Sequence, residues 1–154
     1  MSAPAFAPER VTLPGGLTLL HQHNPVSSAV TVTLTFAAGS IFDPEGREGL
    51  ATLVARGLTR GTSGRSKAEI GDVLDDRGAH LAGTAGRHTA GLVAKARHVD
   101  FERMLELIFD CARDAQFPDD EVRKMRGDRL TALREDDDDP ATVAVLNEEI
   151  IEML

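Results

Sequence analysis

This 154-residue chain has no tryptophan and no tyrosine, six phenylalanines and a single cysteine. With so few aromatics, a core must be assembled from Leu, Val, Ile and Ala. One cysteine, Cys111, excludes an internal disulfide. No apolar run approaches the roughly 20 residues a membrane-spanning helix needs. Positive charge is in deficit: 17 Lys and Arg stand against 25 Asp and Glu, a net charge of −8. That balance argues against nucleic acid and anionic membrane surfaces, both of which call for a positive field. The opening MSAPAFAPER has neither a basic n-region nor an apolar h-region, so no secretory signal is read and a cytoplasmic location is expected. No G-x-S-x-G elbow and no phosphate-binding glycine loop occurs.

What is present is ordinary for a soluble globular protein, 42% hydrophobic and 27% charged residues. The length suits one domain with a real core. Residues 1–9 are rich in Ala and Pro and are expected to form a loose arm, with a single α+β domain over 10–154. Val11–Leu13 and Leu17–His23 read as strands around a Pro14-Gly15-Gly16 turn. Ala29–Phe36 (AVTVTLTF) alternates strictly and predicts a half-buried strand. Ser66 and Glu69 have capping-box spacing and open a second helix, which Gly78 closes. Ala79–Ala85 and Thr89–Arg97 read as strands. Phe101–Asp114 reads as an amphipathic helix with Phe101, Met104, Leu105, Ile108, Cys111 and Ala112 on its stripe. A further helix is expected from Asp119 to about Glu135. A last one begins at Pro140 with Asp139 as its cap, and Ile150, Ile151 and Leu154 are left unshielded. The order β-β-β-α-α-β-β-α-α-α predicts an α+β fold, helices packed on an antiparallel sheet.

The stretch from Gly39 to Thr62 carries the functional argument. Pro44 and Gly46 precede a helix, and Glu45 and Glu48 place negative charge near its expected N-terminus. Leu50, Leu53, Val54 and Leu58 recur at helical spacing and predict a buried face. Thr52 and Arg56, four apart, project from one face.

The pattern Gly-Ser, acidic-Pro-Glu-Gly, Gly-Leu-Ala and, after nine further residues, Gly-Thr resembles the pitrilysin/insulinase peptidase family, which includes the mitochondrial processing peptidases. The resemblance runs from Gly16-Leu17 through Pro140 and implies an α/β roll with a final strand beyond Leu154, hence the N-terminal domain of a longer protein. In active members the helix carries H-x-x-E-H: two histidines hold zinc and the glutamate activates its water. A distant glutamate completes the shell. On this chain the histidine positions hold Thr52 and Arg56 and the base position Ala55. The distant position, counted back from Asp138-Asp139-Pro140, holds Ala132. Threonine is at most a weak neutral oxygen ligand, alanine has no donor atom, and arginine keeps its charge. An Asn-Ala pair that lies along substrate in active members is replaced by Ala82 and Gly83.

The resemblance therefore implies a non-catalytic member with no zinc of its own. Such a subunit would form a chamber wall with a catalytic H-x-x-E-H homologue that carries the zinc, or as a homodimer. Peptide substrates would add a strand at a sheet edge. Two alternatives stay open: a stand-alone pseudoenzyme that binds peptides or scaffolds proteins, and an active peptidase with atypical ligands such as His80 or His88. Arg56 itself has two readings, a cation substituting for the metal's charge or a snorkelling surface residue.

Other chemistry-bearing residues carry less. His21 and His23 share a strand face but have no third donor nearby. His80, His88 and His98 have no motif around them and read as surface histidines. Glu135–Asp139 lacks the spacing and central glycine of an EF-hand and reads as a solvated turn. Cys111 sits on an apolar stripe and reads as an inert buried thiol.

Overall fold

The computed structural model describes residues 8–138. The first seven residues of the expected arm, the cap at Asp139 and the helix expected from Pro140 lie outside the described residues. The elements are β1 (Glu9–Thr12), β2 (Thr18–His21), β3 (Ala29–Phe36), α1 (Leu50–Gly57), α2 (Lys67–Asp75), β4 (His80–Ala85), β5 (Ala90–Arg97), α3 (Phe101–Arg113) and α4 (Asp119–Asp138). Their order and the α+β class agree with the sequence reading, α4 running on three residues past Glu135.

The main sheet is three-stranded and antiparallel, in the order β3-β5-β4, so β4 is an end strand. Its register sets Val30, Val32 and Leu34 beside Ala96, Ala94 and Leu92, and Leu92 and Ala94 in turn beside Gly83 and Leu81. Paired residues share a face, and this is the face the helices cover. Leu81, Leu92, Ala94 and Ala96 form a core with Ile70 of α2 and Met104, Leu107, Ile108 and Cys111 of α3. The buried stripe of α3 is therefore rotated from the expected one: Leu107 is inside and Phe101 is 40% exposed. Thr31, Thr33 and Thr35 of β3 lie on the opposite, solvated face.

β1 and β2 pair only with each other among the described strands, with Glu9 opposite His21 and Val11 opposite Leu19. The expected single sheet is thus two. The turn at Gly15-Gly16, both at positive φ, closes this hairpin on itself. Val11, Leu17, Leu19 and Leu20 stay exposed.

The capping box of α2 forms as expected. The Ser66 hydroxyl oxygen accepts from the Glu69 N–H at 3.3 Å, and the Glu69 carboxylate accepts from the Ser66 N–H at 2.8 Å. At the other end Gly78, at φ +55°, turns the chain so that the Ala79 N–H donates back to the Leu74 carbonyl.

Candidate functional site

The motif helix α1 is set by a cap that the sequence reading missed. Neither Glu45 nor Glu48 stands in its first turn. The carboxylate of Asp43 accepts instead from the N–H groups of Gly49 and Ala51, both at 2.8 Å. Gly49, at φ +92°, bends the chain so that one carboxylate can reach both amides. A charged acceptor on two orphan helix donors is a strong anchor. The expected helper, Glu48, accepts from the Gly46 N–H in the preceding loop. An Asp-Pro pair just ahead of Gly-Leu-Ala was the available clue.

Below the helix, α1 rests on β4 with no side chain between them. A Cβ built on Gly83 would stand 1.7 Å from the Ala55 carbonyl oxygen and 2.9 Å from the Arg56 nitrogen. Only glycine permits that approach, and the small, buried Ala51 and Ala55 form the contacting face. Gly83 and Ala82 thus have different roles: Gly83 faces the helix, and Ala82, the next residue on an extended strand, faces the other side.

One flank of α1 is lined by large apolar side chains that the rest of the described chain leaves half uncovered. Leu50 is 38% and Val54 43% exposed, against the expectation of a buried face. With Leu58, Phe36, Phe42 and Ala112 they line an open, mainly apolar cavity of about 460 Å³ reaching β3 and β5. The other flank carries Thr52, half-buried, and Arg56, exposed.

The donor set here does not fit zinc. Thr52 offers a neutral hydroxyl, Ala55 a methyl group and Arg56 a permanent cation. Ala132 lies on α4, the helix packed against α1, and contributes only a methyl group. Among the described residues no three His, Cys, Asp or Glu side chains converge as a metal-binding group. The described residues also give Arg56 no ion-pair partner, so the nearby protein carboxylates that a substitute for the metal charge would hold are not found among them.

The remaining candidates are dispersed. β2 ends at His21, so His23 lies beyond the strand and the expected same-face pair is not formed on it. His80 sits on β4 opposite Lys95, His88 lies in the exposed turn before β5, and the His98 ring lies 3.2 Å from the Ser28 carbonyl oxygen. Cys111 is fully buried; desolvation, with the neighbouring Asp110 charge, pushes its thiol up to about 11 against a smaller opposing pull from Arg65. It is not a nucleophile at neutral pH.

The chain that carries this arrangement, a short helix capped by an acidic-Pro segment and laid on an end strand, is similar to known proteins over most of its length. Residues 18–152 match the family model described as insulinase (peptidase family M16). The chain belongs to the M16 peptidase family. It is 29% identical over 127 residues to the mitochondrial-processing peptidase subunit beta of Homo sapiens, covering 82% of this chain and 26% of that protein. It is 30% identical over 139 residues to a Mycobacterium tuberculosis protein described as an uncharacterized zinc protease, covering 90% of this chain and 32% of that one. Among solved structures, a Pseudomonas fluorescens protein titled a peptidase M16 inactive domain superposes with a TM-score of 0.80. The identity is 22%, over 92% of this chain and 34% of that one. A Helicobacter pylori protease superposes at 0.72, with 18% identity, over 89% of this chain and 33% of that one. This M16 domain thus spans about a third or less of the proteins it matches. No helix among its described residues is long and apolar enough to cross a membrane.

Proposed function

We propose that this chain is the non-catalytic half of an M16-type peptidase, forming one wall of a substrate chamber with a zinc-bearing H-x-x-E-H partner. The observation that carries the reading is the residue set on α1: the helix keeps its cap, its seat on β4 and its place in the fold, while Thr52, Ala55 and Arg56 supply neither ligand nor base. A fold retained around a replaced motif is what a structural partner requires. The similarity to a Pseudomonas fluorescens protein described as a peptidase M16 inactive domain supports the assignment. By itself the chain does not hydrolyse peptides. Its contribution is to bind them in extended form, backbone to backbone, at the edge of β4 that is unpaired among the described residues. The lone, buried Cys111 is compatible with the reducing cytoplasm proposed as its place of action.

The test uses the full-length protein, alone and mixed with an H-x-x-E-H homologue from the same organism. Metal analysis and a quenched-fluorescence peptide assay are expected to find neither stoichiometric zinc nor cleavage in the protein alone. Cleavage by the homologue should rise on mixing. Stoichiometric zinc with chelator-sensitive cleavage by this protein alone would overturn the proposal.

A further inference from the structure

The helix flank that bears Arg56 stands beside a strand edge that is unpaired among the described residues. Ala51 and Ala55 are buried toward the sheet, and Leu50, Val54 and Leu58 line the cavity toward β3 and β5. At 3.6 residues per turn, Thr52 and Arg56 leave the helix on the opposite flank. Because α1 rests on the end strand β4, that flank overlooks the edge where no further strand is paired among the described residues. The Gly83 contact brings the Arg56 backbone down onto β4. From there the long arginine side chain can span the ~4.8 Å to a strand added beside β4.

The chemistry of that position is cationic and uncompensated. Arg56 is exposed and has no ion pair among the described residues, a state it shares with other surface cations of the chain; what sets it apart is its place on the helix laid over Gly83 of β4. The strand beneath it, His80–Ala85, carries no acidic residue.

We infer that Arg56 selects extended peptides that carry an acidic side chain at the position beside Gly83, its guanidinium pairing with that carboxylate on the helix face of the added strand. The inference rests on the peptide-binding reading above. An internal side chain, rather than a terminal carboxylate, is the ligand because Gly83 is the fourth of six residues in β4, so a bound strand continues on both sides. Alternation adds a register rule. Only every second residue of the peptide faces the helices, so moving the acidic residue by one position should place it on the wrong face.

The test measures binding of short, fluorescently labelled, C-amidated peptides of Ala, Val and Thr to the full-length protein, with one Glu stepped along the sequence and a matched Gln series. A favoured Glu register is expected to bind about fivefold tighter than its Gln counterpart, the upper end for an exposed ion pair, and to lose that preference in high salt. In Arg56→Gln the two series should bind alike, with the Gln-series affinity and the melting temperature unchanged. Arg56→Lys should keep part of the preference. Binding indifferent to Glu or Gln in the wild type, or a preference that survives Arg56→Gln, overturns this assignment and leaves peptide binding standing. No binding of either series at millimolar concentration overturns both.

Discussion

The two flanks of α1 solve the same packing problem in opposite ways. On the β4 side, Gly83, Ala51 and Ala55 have so little side chain that the helix backbone lies directly on the strand. On the other side, Leu50, Val54, Phe36 and Phe42 are large and leave an open cavity. Close packing of small residues fixes position to a fraction of an ångström, because any added atom must displace backbone. Half-covered large residues fix little, and they contribute stability only to the extent that something covers them. The tight contact at Gly83 fixes the backbone of Arg56, whose side chain leaves on the flank away from the cavity, beside the edge of β4 that is unpaired among the described residues. This M16 domain places α1 beside an edge of β4 that is unpaired among the described residues, and the helix carries Thr52, Ala55 and Arg56 there.

The sharpest way to break this contrast is to add atoms on the rigid side. Gly83→Val puts a branched side chain where a single Cβ already meets the Ala55 carbonyl oxygen at 1.7 Å. We expect a loss of about 3 kcal/mol in urea unfolding, at the upper end for overpacking, since the obstacle is helix backbone and cannot rotate away. A loss under about 0.5 kcal/mol would mean that α1 is not seated on β4 as described.

The open side should respond far less. Val54→Ser removes apolar surface that is already 43% exposed. The expected cost is about 0.5 kcal/mol or less, within the range of surface substitutions. Binding of a hydrophobic dye to the cavity should fall with it. If the same change costs about 2 kcal/mol, the cavity is filled in solution and Val54 behaves as a core residue. The flanks would then differ in composition but not in burial.

Which of these features could be read from sequence depends on the range of the interaction behind them. The alternation in AVTVTLTF reports β3 residue for residue, because one buried face imposes period two locally. The Ser66–Glu69 spacing reports its capping box, again a local device. The residue set on α1 is equally visible, since Thr52, Ala55 and Arg56 carry their chemistry in their identity. The rest is tertiary. Leu50 and Val54 announce an apolar face, but no periodicity says whether a neighbour covers it. Asp43 caps α1 only because Gly49 folds the loop back, so the charge of the nearer Glu45 and Glu48 is legible in sequence and the cap itself is not. Gly83 looks like a weak strand residue until the helix above it is in place. The β1–β2 hairpin is legible as two strands, but pairing with β3 or with each other alone is not a local property.

The smallest effect expected lies away from both flanks, at α2, and serves as their control. Glu69 accepts hydrogen bonds from the Ser66 N–H and hydroxyl, which hold its carboxyl below the usual value, reinforced by the Arg65 charge and opposed by slight desolvation. The folded state therefore binds fewer protons than the unfolded chain across that range, and stability rises with pH there. The contribution is present in full above the unfolded carboxyl value and fades as pH falls through the lower, folded one. Glu69→Gln should accordingly be less stable than wild type at pH 7, and the gap should narrow in acid until the two unfolding midpoints meet. The side chain is fully exposed, so the gap is small and shrinks with salt. A gap of constant size from neutral pH into acid would show that Glu69 acts through its shape and not its charge. Equal midpoints at every pH would show that the cap contributes nothing. In neither case would the contrast between the flanks of α1 be touched, because α2 meets the sheet through Ile70 and the shared core, not through that helix.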